Sequence, residues 1–409
     1  MRIAIAPFAA PFVELFINLA KHLQRHNHEV LFLEADPYVC RLLRKEGQDC
    51  TSYREVNFTE EYYTETSRLV QQYCRLHHVK NVAKVAAQKN KDFARAKNFF
   101  KENAVDKILI FNGEMNVESD VCSALGIECL FFENGYFPET FQVNKKGVNA
   151  RSEYAQLSFT DFMQFHFAKA EISKVEIPIV PIKHSIALRY FFRFFDANYR
   201  GIMFHALRGN RAKKIAQKNF RNASTDDFDP NQLTKWAFFP LQVNSDTQIV
   251  LNSAYESMRE VLQVNLAKLL NAGYQVVLKE HPEEVEPVDY SDFVDNKNVF
   301  LLKKFDINRL IAASDFTITV NSSVGLQAVE HGKPVVILGE SFYRSAPNVS
   351  FLEKTQSDLH IPRDYSANDV SRYVSHFKEE IFIAGSWRKL NSAFLTSLCA
   401  RILAENEEN

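Results

Sequence analysis

A chain of 409 residues is longer than one hydrophobic core usually supports, so two domains are expected. Hydrophobic residues at 46% and charged residues at 24% describe a globular protein rather than a disordered one. Lys plus Arg (49) almost balance Asp plus Glu (50), and the net charge of −1 excludes a general field for capturing nucleic acid.

In chain order, residues 2–7 read as a short buried strand. Residues 12–26 carry Phe12, Leu15, Phe16, Leu19 and Leu23 at helical spacing. Residues 29–34 form a second strand, and this β-α-β opening is Rossmann-like, without the GxGxxG fingerprint of a dinucleotide site. Residues 60–104 are helical in pattern. Strand 107–111, helix 116–125 and strand 128–132 follow, which puts the loops Asn112-Gly113-Glu114 and Glu133-Asn134-Gly135 at carboxyl ends of strands, where open α/β sheets bind ligands.

Residues 183–204 mix Lys183, Arg189, Arg193 and Arg200 with aromatics. This suits either a core helix with snorkelling basic ends or contact with a lipid headgroup layer. Residues 205–235 read as a linker. From Trp236 the alternation resumes: strand 236–239, the polar loop 242–248, helix 253–271 ending at Gly273, strand 274–279, strand 298–302, helix 306–313, strand 316–320, a helix to His331-Gly332, and strand 334–338. A last helix over about 387–404 is expected to pack back on the body. The domains read as 1–205, 236–386 and the C-terminal helix 387–409.

Six scattered cysteines without a CxxC pair suggest unpaired thiols in a reducing cytoplasm. No basic, apolar leader opens the chain, and no run of about 18 apolar residues would span a bilayer. A cytoplasmic protein follows as the expectation.

Four local patterns carry possible chemistry. Asn321-Ser322-Ser323-Val324-Gly325 follows a buried strand and opens a helix. It is either a plain Ser322 cap or an anion cradle of hydroxyls and unpaired N–H groups. Lys279-Glu280-His281-Pro282 ends another strand, with His281 able to bond a phosphate or leaving group. Glu133, or its rival Glu114, offers a carboxylate as base or nucleophile. Gln242, Asp246 and Gln248 suit a sugar or base edge, or an ordinary turn. No GxSxG, HExxH, P-loop or DxD pattern is present, so the expected mechanism uses no metal and no cofactor.

Taken together, the segments 131–152, 238–249, 276–284 and 319–343 resemble the capsule polysaccharide biosynthesis family, with its KpsS/KpsC-type Kdo transferases; the length is similar to the shorter KpsS type. The resemblance implies a GT-B-like α/β fold of two facing Rossmann-like domains with a cleft between them. It implies a CMP-Kdo donor and transfer to a lysophosphatidylglycerol or Kdo-linker acceptor at the inner membrane. Other capsule synthesis and export proteins are implied as partners, and nucleic acid is not.

The motifs are also similar to those of bacterial sialyl- and polysialyltransferases, which use CMP-sugars. Carried over, His281 and Pro282 fill an HP motif, and Ser322 and Ser323 a serine pair at the CMP phosphate. Glu133, Asn134 and Gly135 fill an acidic-Gly motif. Beside these, Asn321 and Gly325 belong to the serine loop as substrate contacts. Lys279 either adds positive charge at the phosphate or is solvated at its strand end, and Glu330 either reaches ribose hydroxyls or, more in keeping with its place late in the helix, lies on a solvated face. Two positions depart from the pattern. Asn134 stands where relatives often carry an acid, and Phe137-Pro138 where many carry Arg-Pro. A CMP-sialic-acid-like or UDP-sugar transferase, or a non-catalytic assembly partner, is the alternative.

Overall fold

The computed structural model describes residues 1–6, 10–33, 36–51, 62–76, 79–112, 116–172, 178–183, 185, 188, 215, 218, 220, 222, 224–243, 246–282, 284 and 288–404. The chain divides into two compact units. Unit 1 comprises Met1–Glu153, Phe165–Phe204 and Phe377–Asn409; unit 2 comprises Tyr154–Gln164 and His205–His376. The basic-aromatic stretch 183–204 lies almost wholly outside the described residues, as does Glu114.

Unit 1 is built on β1 (Arg2–Ile5), β2 (Glu29–Leu33), β3 (Cys50–Thr51), β4 (Lys107–Phe111), β5 (Glu128–Asn134) and β6 (Thr140–Asn144). The first five are parallel in the order β3-β2-β1-β4-β5, and β6 adds antiparallel to β5. Ile3, Ala4 and Ile5 are all fully buried, as continuous apolar strands between two helical layers must be. On one face the helices Val13–Arg25, Pro37–Lys45 and Ser392–Ile402 supply Phe16, Leu19, Leu43, Leu395 and Leu398. On the other, Arg68–Leu76, Val82–Glu102 and Val117–Leu125 supply Val70, Phe93, Phe100 and Val121. Local chemistry fixes the helix ends. Asp36 caps Pro37–Lys45 with proline at its first turn, Asn116 caps Val117–Leu125, and Gly126 ends that helix in the left-handed region at φ 67°.

Unit 2 carries β7 (Trp236–Pro240), β8 (Gln275–Lys279), β9 (Val299–Leu302), β10 (Phe316–Thr319), β11 (Val335–Ile337) and β12 (Val349–Phe351), all parallel, in the order β12-β11-β10-β7-β8-β9. This is a doubly wound sheet whose order reverses between β7 and β10, so its crevice opens at the carboxyl ends of those two strands. The helix Met258–Asn271 begins at the N-cap Ser257, with the Glu260 side chain reaching back past the cap. Ser257 Oγ accepts from the Glu260 N–H at 3.2 Å, and the Glu260 carboxylate accepts from the Glu256 N–H at 2.7 Å.

The chain then returns to unit 1, where β13 (Ile383–Ala384) pairs antiparallel with β6 before the helix Ser392–Ile402. That helix buries Phe394, Leu395, Leu398 and Ile402 to within 1% of full burial, each contributing about 1.5–3 kcal/mol. It packs beside Val13–Arg25, so the expected return of the C-terminal helix to the body is a docking within unit 1.

Three expectations change. Glu133 and Asn134 are not loop residues but the last two positions of β5, paired with Gln142 and Phe141 of β6. The helix expected over 253–271 starts only at Met258 and runs to Asn271, while a separate short helix, Thr247–Asn252, takes up the end of the expected polar loop; Ser253, between the two, bridges to Gly339. Cys40 and Cys50 are joined as a disulfide, with Cα atoms 5.6 Å apart. The turn from helix Pro37–Lys45 into β3 brings them together across ten residues, a proximity that sequence spacing does not reveal, and it removes the cysteine argument for a reducing compartment. Among the described residues no helix is long and apolar enough to cross a membrane, and no group of three or more His, Cys, Asp or Glu side chains is placed to hold a metal.

Candidate functional site

Register in unit 2 decides which expected residues meet. Pro240 of β7 lies level with Lys279 of β8, and Phe238 with Thr317 of β10. Two residues further on, His281, Gln242 and Asn321 therefore follow three neighbouring strands at one level. Strands lie about 4.8 Å apart, so His281 and Asn321 flank Gln242 within about 10 Å of one another along the sheet edge. This edge is the crevice that the strand order opens.

A polar lock holds the edge together. Gln242 Nε2 donates to Asn321 Oδ1 at 3.1 Å, and the Asn321 backbone N–H donates to Gln242 Oε1 at 3.2 Å. Gln242 Nε2 also reaches Asp246 Oδ2 at 3.2 Å. Asn321 Nδ2 donates to the Gln248 carbonyl at 3.1 Å and the Glu340 carbonyl at 3.2 Å. Both carboxamides are buried, so each bond replaces water that is no longer present. Asp246 caps the helix Thr247–Asn252 through the Gln248 N–H at 2.9 Å, and Gln248 Oε1 accepts from Asn252 at 2.9 Å. Gln242, Asp246 and Gln248 thus position the serine loop through these bonds.

Ser322 is the N-cap of Ser323–Glu330, its Oγ accepting from the Val324 N–H at 3.2 Å. The Ser322 carbonyl accepts from the Gly325 N–H at 2.9 Å and from the Tyr343 hydroxyl at 2.8 Å. Gly325 is where the Tyr343 ring closes on the helix: a Cβ there would overlap the Tyr343 hydroxyl. Ser323 is exposed, and its N–H and hydroxyl have no partner among the described residues. The helix end therefore keeps donors for an anion, and the helix dipole adds about 0.3–1 kcal/mol to its attraction. Glu330 is exposed at the other end of this helix, seven residues or about 10 Å along its axis from Ser323.

Lys279 is 5% exposed and donates to the Glu280 carbonyl at 3.1 Å. Burial pushes its ammonium below the usual lysine range, against the opposing pull of Glu280 and Asp226. Burial likewise raises the Glu280 carboxyl, Lys303 opposing. Asp226, whose carboxylate accepts from the backbone N–H groups of Lys303 and Lys304 at 2.7 Å each, closes this corner. His281 and Pro282 are half-buried in the turn that follows Lys279.

Unit 1 holds the carboxylate. Glu133 Oε1 accepts from the Asn134 backbone N–H at 2.8 Å and from Asn134 Nδ2 at 3.0 Å. The Asn134 oxygen accepts from the Trp387 indole N–H at 2.8 Å, and its carbonyl from Gln142 Nε2 at 2.8 Å. Gly135 sits in the β5–β6 hairpin, bonded to the Thr140 carbonyl at 2.8 Å; a Cβ there would overlap the Thr140 side chain. Trp387 also packs edge-on against Phe12, which stands against Phe111. Sequence reasoning missed Trp387, Gln142 and Tyr343. The alternation Phe141, Val143 after a Gly-Tyr-Phe-Pro turn was a legible strand signal; Trp387 and Tyr343 carried none.

The family model "Capsule polysaccharide biosynthesis protein" matches residues 116–350, more than half of the chain. The protein FixF of Sinorhizobium fredii is 27% identical over 240 residues, covering 58% of this chain and 49% of FixF. The capsule polysaccharide modification protein LipB of Neisseria meningitidis serogroup B is 25% identical over 246 residues, covering 52% of this chain and 57% of LipB. The match thus spans about half the length of these relatives. Among solved structures, Thermosulfurimonas dismutans KpsC, beta Kdo 2,7 transferase, aligns over 91% of this chain and 89% of its own at 13% identity and a TM-score of 0.40, too distant to carry an argument. On the strength of the family match, the chain belongs to the capsule polysaccharide biosynthesis protein family.

Proposed function

We propose that the chain is a glycosyltransferase of capsule polysaccharide assembly that draws on a CMP-activated sugar, Kdo by resemblance. The observation that carries this reading is the Ser323 helix end, which offers an N–H and a hydroxyl without partners beside the strand ends that bear Lys279 and His281. In the proposed reaction an acceptor hydroxyl oxygen bonds to the anomeric carbon while the bond from that carbon to the phosphate oxygen breaks. CMP leaves with the electron pair, its charge met by the helix end, Ser322, Ser323, His281 and Lys279. The acceptor proton passes to a carboxylate, for which Glu133 is the described choice. Lysophosphatidylglycerol or a Kdo linker is the acceptor the resemblance suggests, reached at the inner membrane beside other capsule proteins.

A second reading has a specific basis. Asn134 stands at the often acidic position and is spent on Trp387 and Glu133, which favours a different activated sugar or acceptor. Calorimetric titration with CMP beside UDP separates the readings. CMP binding that Ser322→Ala with Ser323→Ala abolishes supports the proposal. A preference for UDP moves the weight to another transferase. Binding of neither points to a non-catalytic assembly partner.

A further inference from the structure

Unit 1 holds a cavity of about 200 Å³ lined by Leu130, Val143, Lys145, Lys146, Phe167 and Arg401, among others. Its place follows from strand register. Phe131 pairs with Asn144 and Asn134 with Phe141, so Leu130 and Lys145 stand toward the amino end of β5. Glu133 is three residues, about 10 Å, further along the strand, at the opposite end. The cavity shares no residue with the candidate site.

The walls combine two chemistries. Leu130 and Val143 form an apolar floor, and Phe165 and Phe167 meet edge to face at 4.9 Å. The Phe165–Ala168 segment is held in place where the Ala170 N–H donates to the Ala400 carbonyl at 2.9 Å. Arg401 is 5% exposed, and its guanidinium carbon lies 4.0 Å from the centre of the Phe167 ring. Lys145, Lys146 and His166 are exposed at the mouth. Lys145 has Glu128 at 4.0 Å, but Glu128 already pairs with the buried Lys107 at 2.9 Å. His166 lies 3.5 Å from Glu380. Lys146 forms no ion pair among the described residues. The acid in the lining, Glu153, is engaged by the backbone N–H groups of Lys145 at 2.7 Å and Lys146 at 3.4 Å. Within the lining itself, Lys145, Lys146 and Arg401 therefore stand against one carboxylate, Glu153.

Size narrows the ligand. The volume is below the roughly 300–1,000 Å³ of pockets that enclose drug-sized molecules, so a nucleotide is too large and one small ring fits. An apolar floor with aromatic edges suits a ring face, and the lysine rim suits an attached carboxylate. We propose that this cavity is a second, non-catalytic subsite that takes one acidic sugar unit, ring against Phe165 and Phe167 and carboxylate toward Lys145 and Lys146. It holds an acidic saccharide away from the reacting atoms and stands whether or not the donor is a CMP-sugar.

The test is calorimetric titration of the full chain with galacturonate and glucuronate, with glucose as the neutral ring and inorganic phosphate as the anion without a ring. The acidic sugars should bind saturably with Kd on the order of 1 mM, glucose and phosphate each about tenfold more weakly. Lys145→Glu with Lys146→Glu, both at exposed positions, should weaken the acidic sugars about tenfold or more. Ser322→Ala with Ser323→Ala should leave their binding unchanged, which separates this site from the donor end. Absence of saturable binding, equal binding of glucose or of phosphate, indifference to the lysine reversals, or loss with the serine changes would each overturn the proposal.

Discussion

Gln242 and Asn321 bind each other in both directions, the Gln242 amide donating to Asn321 Oδ1 and the Asn321 backbone N–H donating to Gln242 Oε1. The pair bridges the carboxyl ends of β7 and β10, where the sheet order reverses, and sets the height of the serine loop above the sheet. Gln242→Leu keeps the volume but strips three bonds, those to Asn321 and the one to Asp246. A buried carboxamide and a buried N–H lose their partner, at a cost of about 1–3 kcal/mol each at most. Denaturant unfolding should show a loss of this order, and CMP affinity should fall with it. Unchanged stability and affinity would mean that Asn321 is held well enough by the Gln248 and Glu340 carbonyls alone.

Gly325 and Tyr343 form a second coupled pair. Gly325→Ala pushes a methyl into the Tyr343 hydroxyl, which itself donates to the Ser322 carbonyl. Overpacking of this kind costs about 1–3 kcal/mol. Tyr343→Phe alone removes the hydrogen bond, costing about 0.5–1.5 kcal/mol. It also removes the nearer of the two clashing atoms, leaving the ring Cζ at 2.7 Å, so the double variant should be more stable than the sum of the single losses predicts while still less stable than Tyr343→Phe alone. Chemical unfolding of the four proteins in a double-mutant cycle measures this coupling. Additive losses would show that the ring moves aside freely.

Much of the fold was legible because buried parallel strands and one-sided helices leave clear patterns. The runs around Ile3, Ile108, Val277 and Ile318 all read as strands, and of the two readings of Ser322, cap or anion cradle, the structure shows the cap. What escaped depends on contacts distant in sequence. β13 is two residues long and exists because β6 offers it an edge. Cys40 meets Cys50 only through a turn. Trp387 reaches Asn134 across 253 positions. In the segment 242–248 the side chains of Gln242, Asp246 and Gln248 are engaged by one another and by Asn321 and Asn252, and spacing alone does not distinguish a residue that touches a ligand from one that holds its neighbour.

Trp387→Phe isolates the indole N–H. The ring still fills its place beside Phe12, but Asn134 Oδ1 loses its donor. Asn134 is then free to turn, and Glu133, which accepts from both Asn134 nitrogens, loses its fixed orientation. Stability should fall by only about 0.5–1.5 kcal/mol. If Glu133 serves the acceptor, kcat should drop while CMP affinity, measured calorimetrically, stays the same. A parallel loss of CMP binding would detach Trp387 from the acceptor side.

Lys279 supplies a prediction in pH. Burial holds its folded-state pKa below the unfolded value of 10.5, although Glu280 and Asp226 pull the other way. Below both values the ammonium is charged in both states and its desolvation works fully against folding. Between the lowered value and 10.5 the unfolded chain binds more protons, so this group makes stability rise with pH across that window. Tyrosines and thiols titrate there too, so the readout is a difference: Lys279→Met should lack this rise and lose no stability near neutral pH. Anion binding opposes the shift by favouring the ammonium. CMP should therefore take up protons within the same window, and its binding enthalpy should vary with the ionisation enthalpy of the buffer. In Lys279→Met that buffer dependence should shrink and affinity fall. If the enthalpy is independent of buffer in the native chain while CMP binds, the lysine keeps its proton throughout and its contribution to the phosphate is that of a fixed charge.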